Sequence, residues 1–154
     1  MEDDEARHLM NNNIWDFSLQ VSRDLLRWNV LNILGGSLLL PRPGFWRGFG
    51  SQNIGWGMIN IGIALFGRRM QNKRRSEAAA HSPSVQQKEA TNLRRILLIN
   101  AGLDVVYILG GWRFANNQPW NKRQQRGMGF GIMLQGFFLL IFDLYKASRV
   151  PGKF

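Results

Sequence analysis

A single carboxylate, Asp104, stands in the otherwise uncharged stretch Ile96–Trp112. Charge at the centre of a membrane helix costs about 2.5–3.5 kcal/mol on insertion scales, so a residue of this kind points to a function by default. Polar side chains recur in the other apolar stretches: Asn29 and Asn32, then Asn60, then Gln135. On a helix, Leu25, Asn29, Asn32 and Gly36 share one face by the i, i+4, i+7, i+11 spacing, and so do Asn100, Asp104, Tyr107 and Gly111. The pattern predicts a polar bundle interior made of Asn29, Asn32, Asn60, Asn100, Asp104, Tyr107 and Gln135. Two chemistries suit it. In the first, Asp104 supplies charge and the amides supply neutral ligands to a small polar solute or ion. In the second, the amides tie helices together by hydrogen bonds of about 0.6–2 kcal/mol each, and Asp104 pairs with Arg27.

Catalysis and cofactor chemistry find no footing. There is no cysteine, and the only histidines are His8 and His81, both in polar surroundings; thiolate metal sites and a bis-histidine haem are excluded. Asp104 and Asp143 could form an aspartyl dyad only at one depth. Counted from the cytoplasmic helix ends they lie about 12 Å and about 4 Å in, at 1.5 Å per residue. Asp143 is instead expected at the headgroups or paired with Arg94 or Arg95. No Ser/His or metal-ligand arrangement offers another route, so the expectation is a protein that is not an enzyme and carries no cofactor or metal.

The elements that must position these residues are apolar helices. Of the 154 residues 45% are hydrophobic, with 20 Lys and Arg against 10 Asp and Glu, and the mean hydropathy of −0.21 resembles that of a soluble protein. The charge is unevenly spread. Gly48–Gly67 is 20 residues without a charge, and Trp28–Pro41 and Gly127–Phe142 are also charge-free. About 20 apolar residues cross a bilayer core. Dense glycine within these stretches and aromatic residues at their ends (Trp15, Phe45, Trp46, Trp112, Trp120) favour membrane helices that pack closely.

The sequence thus predicts an all-α bundle of four transmembrane helices. Six of the cations, Arg42, Arg47, Arg113, Lys122, Arg123 and Arg126, fall on one side and the other 14 on the side of both termini. The positive-inside bias puts both termini in the cytoplasm of a multi-pass inner-membrane protein. Residues 1–24 form a polar lead whose Ile14, Phe17, Val21 and Leu25 recur at helical spacing, predicting a short amphipathic helix at the interface before the first span. Residues 25–67 form a first hairpin and 96–146 a second. Between them 68–95 reads as a basic cytoplasmic segment, flexible over Gln71–Thr91, and 147–154 as a tail. The run Arg68, Arg69, Lys73, Arg74, Arg75 begins one residue after a span, where topology demands cations, so anionic lipid headgroups are the expected partner and nucleic acid is not. Four short helices bury little surface, and association with further copies or with other membrane subunits is expected.

The hairpins resemble each other. Asn29-Val30-Leu31-Asn32-Ile33-Leu34-Gly35-Gly36 aligns with Asp104-Val105-Val106-Tyr107-Ile108-Leu109-Gly110-Gly111 at an offset of 75, and Gly55-Trp56-Gly57 with Gly129-Phe130-Gly131 at 74. Both copies enter from the cytoplasm, so they read as parallel repeats.

Four blocks resemble a family of uncharacterised bacterial four-helix integral membrane proteins: Trp28-Asn29-Val30-Leu31-Asn32-Ile33 with Gly35; Phe45 with Asn53 to Ala64; Asn100-Ala101-Gly102-Leu103-Asp104-Val105-Val106-Tyr107; and Gln135-Gly136-Phe137-Phe138-Leu139-Leu140-Ile141-Phe142-Asp143. The resemblance implies the four-span topology and gives weight to Asn100, Asp104, Tyr107, Gln135 and Asp143. It implies no substrate. The functional expectation is therefore an oligomeric binder or carrier of a small polar solute or ion centred on Asp104, or else an accessory subunit of a larger membrane complex.

Overall fold

The computed structural model describes residues 13–152 and is all-α: α1 (Ile14–Leu39), α2 (Phe45–Arg75), α3 (Pro83–Asn116) and α4 (Arg123–Ser148). Local chemistry sets the boundaries. Asn13 caps α1, its side chain accepting the backbone N–H of Trp15. Pro41 and Pro43 end α1, and Gly44, at φ +67°, turns the chain into α2. Pro83 opens α3 in the first turn, where its missing N–H costs nothing.

The helices form two antiparallel hairpins, α1 with α2 and α3 with α4, joined along α2 and α4; α1 and α3 scarcely touch. Glycine makes each contact. A Cβ on Gly36 would lie 2.6 Å from the Gly50 carbonyl, and one on Gly111 would lie 2.7 Å from that of Gly129. Between the hairpins, Gly48 sits on the backbone of Gln124 and Met128, and Gly127 on that of Phe45 and Phe49. Backbones this close exclude side chains, so these contact glycines lie inside.

The large apolar residues lie outside. Leu31, Leu34, Leu38, Met58, Ile63, Phe66, Val106, Leu109, Phe137 and Ile141 are all exposed, whereas Asn29, Asn32, Asn53, Asn60, Asp104, Gln135 and Asp143 are buried. One helix among the described residues, α4, is long and apolar enough to cross a membrane by length and composition. The expectation of four spans is met on that measure by α4 alone. Asn, Gln, Trp and Gly lower the hydropathy of α2 although it lacks charge from Gly48 to Gly67, and Lys88, Arg94 and Arg95 do so in the first half of α3.

Two boundaries differ from expectation. Among the described residues the amphipathic stretch is not a separate helix, since α1 is continuous from Ile14 to Leu39. The segment 71–91 is not an open linker: α2 runs on to Arg75, α3 begins at Pro83, and only 76–82 turns. These parts cover each other. Trp15 is 1% exposed and its indole N–H donates to the Ala80 carbonyl at 3.0 Å, in an apolar core with Ile14, Val21, Ala90, Leu97, Ala147 and Val150. The apolar face of Ile14, Phe17 and Val21 is therefore turned to protein. The first twelve residues of the polar lead, Arg7 and His8 among them, and the tail's Lys153 lie outside the described residues.

Candidate functional site

The bundle centre is built from amides. Gln135 of α4 is its hub: Oε1 accepts from Asn32 Nδ2 of α1 at 3.1 Å and from the Trp28 indole at 3.4 Å, and Nε2 donates to Asn53 Oδ1 of α2 at 2.7 Å. Trp28 also stacks on Phe138, with ring centroids 3.6 Å apart. One step toward the end of the bundle where α1 begins, Asn60 Nδ2 donates to Asn29 Oδ1 at 3.3 Å, and Asn29 Nδ2 donates to the Leu25 carbonyl at 2.7 Å. Asn29, Asn32, Asn60 and Gln135 are thus inside, as expected from their spacing. Asn53 joins them, and its signal was present: Asn53, Gly57, Asn60 and Ala64 repeat the i, i+4, i+7, i+11 face.

Asn100 and Tyr107 are corrections. Both are exposed, Tyr107 lying edge-on against Trp56. The buried face of α3 is Leu97, Ala101, Asp104, Gly111 and Ala115. At about 100° per residue, Asn100 and Tyr107 point roughly 60–90° away from its middle. A stripe chosen by polarity missed the face that small residues define.

Asp104 is 3% exposed, and its Oδ2 is buried without a hydrogen-bond partner. Arg27 does not reach it. The Arg27 guanidinium is surface-exposed and lies 3.7 Å from Asp24, which also takes the buried Lys146 ammonium at 2.7 Å. Asp143, 6% exposed, is not at an open headgroup position and enters no ion pair with Arg94 or Arg95. It lies within Coulombic reach of Asp104. The depth difference is narrowed because Cβ vectors lean toward each helix N-terminus, bringing the two side chains toward one another in an antiparallel pair. Among the described residues the interior therefore holds two carboxyls, Asp104 and Asp143, and one buried cation, Lys146, which is paired with Asp24.

The basic run is divided. Arg74 forms a two-pronged pair with Glu89 at 3.0 and 3.2 Å, and Arg75 pairs with Asp16 at 3.0 Å, so these two staple the helix ends. Arg68, Arg69 and Lys73 face outward.

Residues 24–144 match the model of a family described as a family of unknown function, DUF6992. The chain belongs to this family. Nothing among curated proteins or solved structures matches it. The DUF6992 match begins at Asp24 and ends at Leu144, and so holds the whole amide network, Asp104 and Asp143. Trp15 and Lys146 fall outside it.

Proposed function

We propose that this DUF6992 protein is a small multi-pass inner-membrane protein that binds a small cation at Asp104. One observation carries the reading: every amide of the interior is hydrogen-bonded to another group, while among the described residues Asp104 Oδ2 alone is buried with no partner. Buried polar atoms left unsatisfied cost about 1–3 kcal/mol and more when charged, which marks this atom as the one awaiting a ligand. The amides are scaffold. A polar solute would need several of them, and they are spent on each other.

The membrane setting is supported by the arrangement of residue types, large apolar side chains outside and small or polar ones inside, the reverse of a protein stabilised by water. A cysteine placed at Ser84 should be shielded from a membrane-impermeant reagent in intact cells, and one at Asn117 labelled. The opposite pattern would reverse the orientation, and both sites behaving alike would mean that no bilayer lies between them.

The hairpins are, in this proposal, copies of one ancestor. Asn29 and Asp104, and Gly36 and Gly111, occupy matching packing positions 75 residues apart. In the second helices the matching glycines are Gly48, Gly50 and Gly57 with Gly127, Gly129 and Gly136, each pair 79 apart, a different register from the 74-residue sequence alignment.

In liposomes, the purified protein should show saturable proton, sodium or potassium binding or flux that Asp104→Asn abolishes; unchanged behaviour of the variant sinks the reading. A second reading, the accessory subunit, is favoured by the exposed glycines Gly55 and Gly62, where a Cβ would meet nothing within 4 Å. Recovery from mild detergent at fixed stoichiometry with unrelated subunits would support it; recovery as a homo-oligomer would not.

A further inference from the structure

Asn29 and Asp104 occupy matching places in the two hairpins, and only one of them is satisfied. Asn29 crosses Gly57, and Asp104 crosses Gly136; a Cβ on either glycine would lie 3.1 and 3.0 Å from the respective backbone carbonyls. Asn29 donates to the carbonyl one turn earlier, Leu25, and accepts from Asn60, which stands three residues beyond Gly57. Three residues beyond Gly136 is Leu139. Asp104 therefore lacks the amide donor that Asn29 has, and the carbonyl one turn earlier, that of Asn100, can only accept. An ionised carboxylate is acceptor-only and has nothing to accept from here; a carboxylic acid has the shape of an asparagine side chain and one O–H to give.

We infer that Asp104 carries an exchangeable proton on Oδ2, directed at the Asn100 carbonyl as the Asn29 amide is directed at that of Leu25, and that this proton is the cation the interior holds. The inference rests on the reading of Asp104 as the binding centre and names its ligand. The surroundings agree on every side. From α4, Asp143 brings a second carboxyl, and Lys146 is taken up by Asp24. From α1, Asp24 pairs with both Arg27 and Lys146. α2 brings no charge between Gly48 and Gly67, and on α3 Arg94 and Arg95 stand more than two turns away. A metal ion asks for more: hard cations take about six or more oxygens, and no group of three acidic, His or Cys side chains suited to a metal exists among the described residues. A proton asks for one oxygen.

Infrared spectroscopy of the purified full chain in detergent tests this. In an Asp143→Asn background, which removes the second buried carboxyl, the protein should show at neutral pH a protonated carboxylic C=O band that shifts in heavy water, and adding Asp104→Asn should lose it. The variant should keep helical content and melting temperature, because asparagine is the isostere of the acid form. Folding the acid form holds a proton that the unfolded chain releases at neutral pH, so in the Asp143→Asn background stability should fall as pH rises, and less so once Asp104→Asn is added. A second variant, Leu139→Asn, supplies the missing donor to the carboxylate and should make the band vanish at lower pH. In the Asp143→Asn background, absence of the band with Asp104 intact, or a band that survives Asp104→Asn, overturns the inference. Asp104-dependent sodium or potassium binding without the band would leave the cation site standing and remove only the proton.

Discussion

Alanine at Gly127 or at Gly48 is expected to cost about 3 kcal/mol each, the upper end of the range for overpacking, read as a drop in thermal or denaturant stability in mild detergent. The reason lies in what the added methyl would strike. At Gly127 it falls on the Phe45 carbonyl and at Gly48 on the Gln124 carbonyl, both backbone atoms of rigid helices. No rotamer change can relieve the clash, so α2 and α4 must separate. Their separation removes the broadest contact between the hairpins among the described residues and draws Gln135 away from Asn53. Gly55→Ala and Gly62→Ala are the matched controls. They sit on the same α2 with open space around them and should gain up to about 1 kcal/mol from helix propensity. If all four substitutions behave alike, the glycine crossing does not hold the bundle together.

That contrast also explains how much of the molecule its sequence discloses. Gly48, Gly55, Gly57 and Gly62 are equivalent as letters, and nothing local separates those against a neighbouring backbone from those facing outward. The helices are legible because Pro41, Pro43, Pro83 and Pro119 punctuate long runs, and Asn29, Asn32, Asn60, Asp104 and Gln135 are legible as interior because polar groups in apolar helices avoid the outside. Asn100 and Tyr107 obey the same spacing and are outside, because Ala101, Gly111 and Ala115 rotate the contact face away from them. Trp15 and Ala80 are 65 residues apart in sequence and touch. Each lies in a segment that looks amphipathic or merely polar, and their common core exists only once α1, α2 and α3 have extended beyond the apolar stretches. The Lys146–Asp24 pair is of the same kind, formed between residues whose charge alone suggested flanking positions.

Gln135→Leu is expected to be about as damaging, at about 3 kcal/mol, for a different reason. Leucine preserves most of the volume, so little is lost in packing. What disappears is one acceptor shared by Asn32 and Trp28 and one donor to Asn53. Gln135 is 1% exposed and Asn32 and Asn53 are buried, so water cannot take its place and each abandoned group bears a desolvation cost of about 1–3 kcal/mol. The cost belongs mainly to the stranded partners, and this gives the prediction its check. Asn53→Leu added to Gln135→Leu should recover about 1 kcal/mol or more, since replacing both members of a buried pair by apolar groups of similar shape is close to neutral. Asn60→Leu, which belongs to the separate Asn29 pair, should instead add its own loss in full. Recovery with Asn53 and simple addition with Asn60 would establish two independent amide clusters in one interior. Simple addition in both cases would mean that Gln135 stabilises α4 by shape, and the scaffold around Asp104 would have to be held by its glycines.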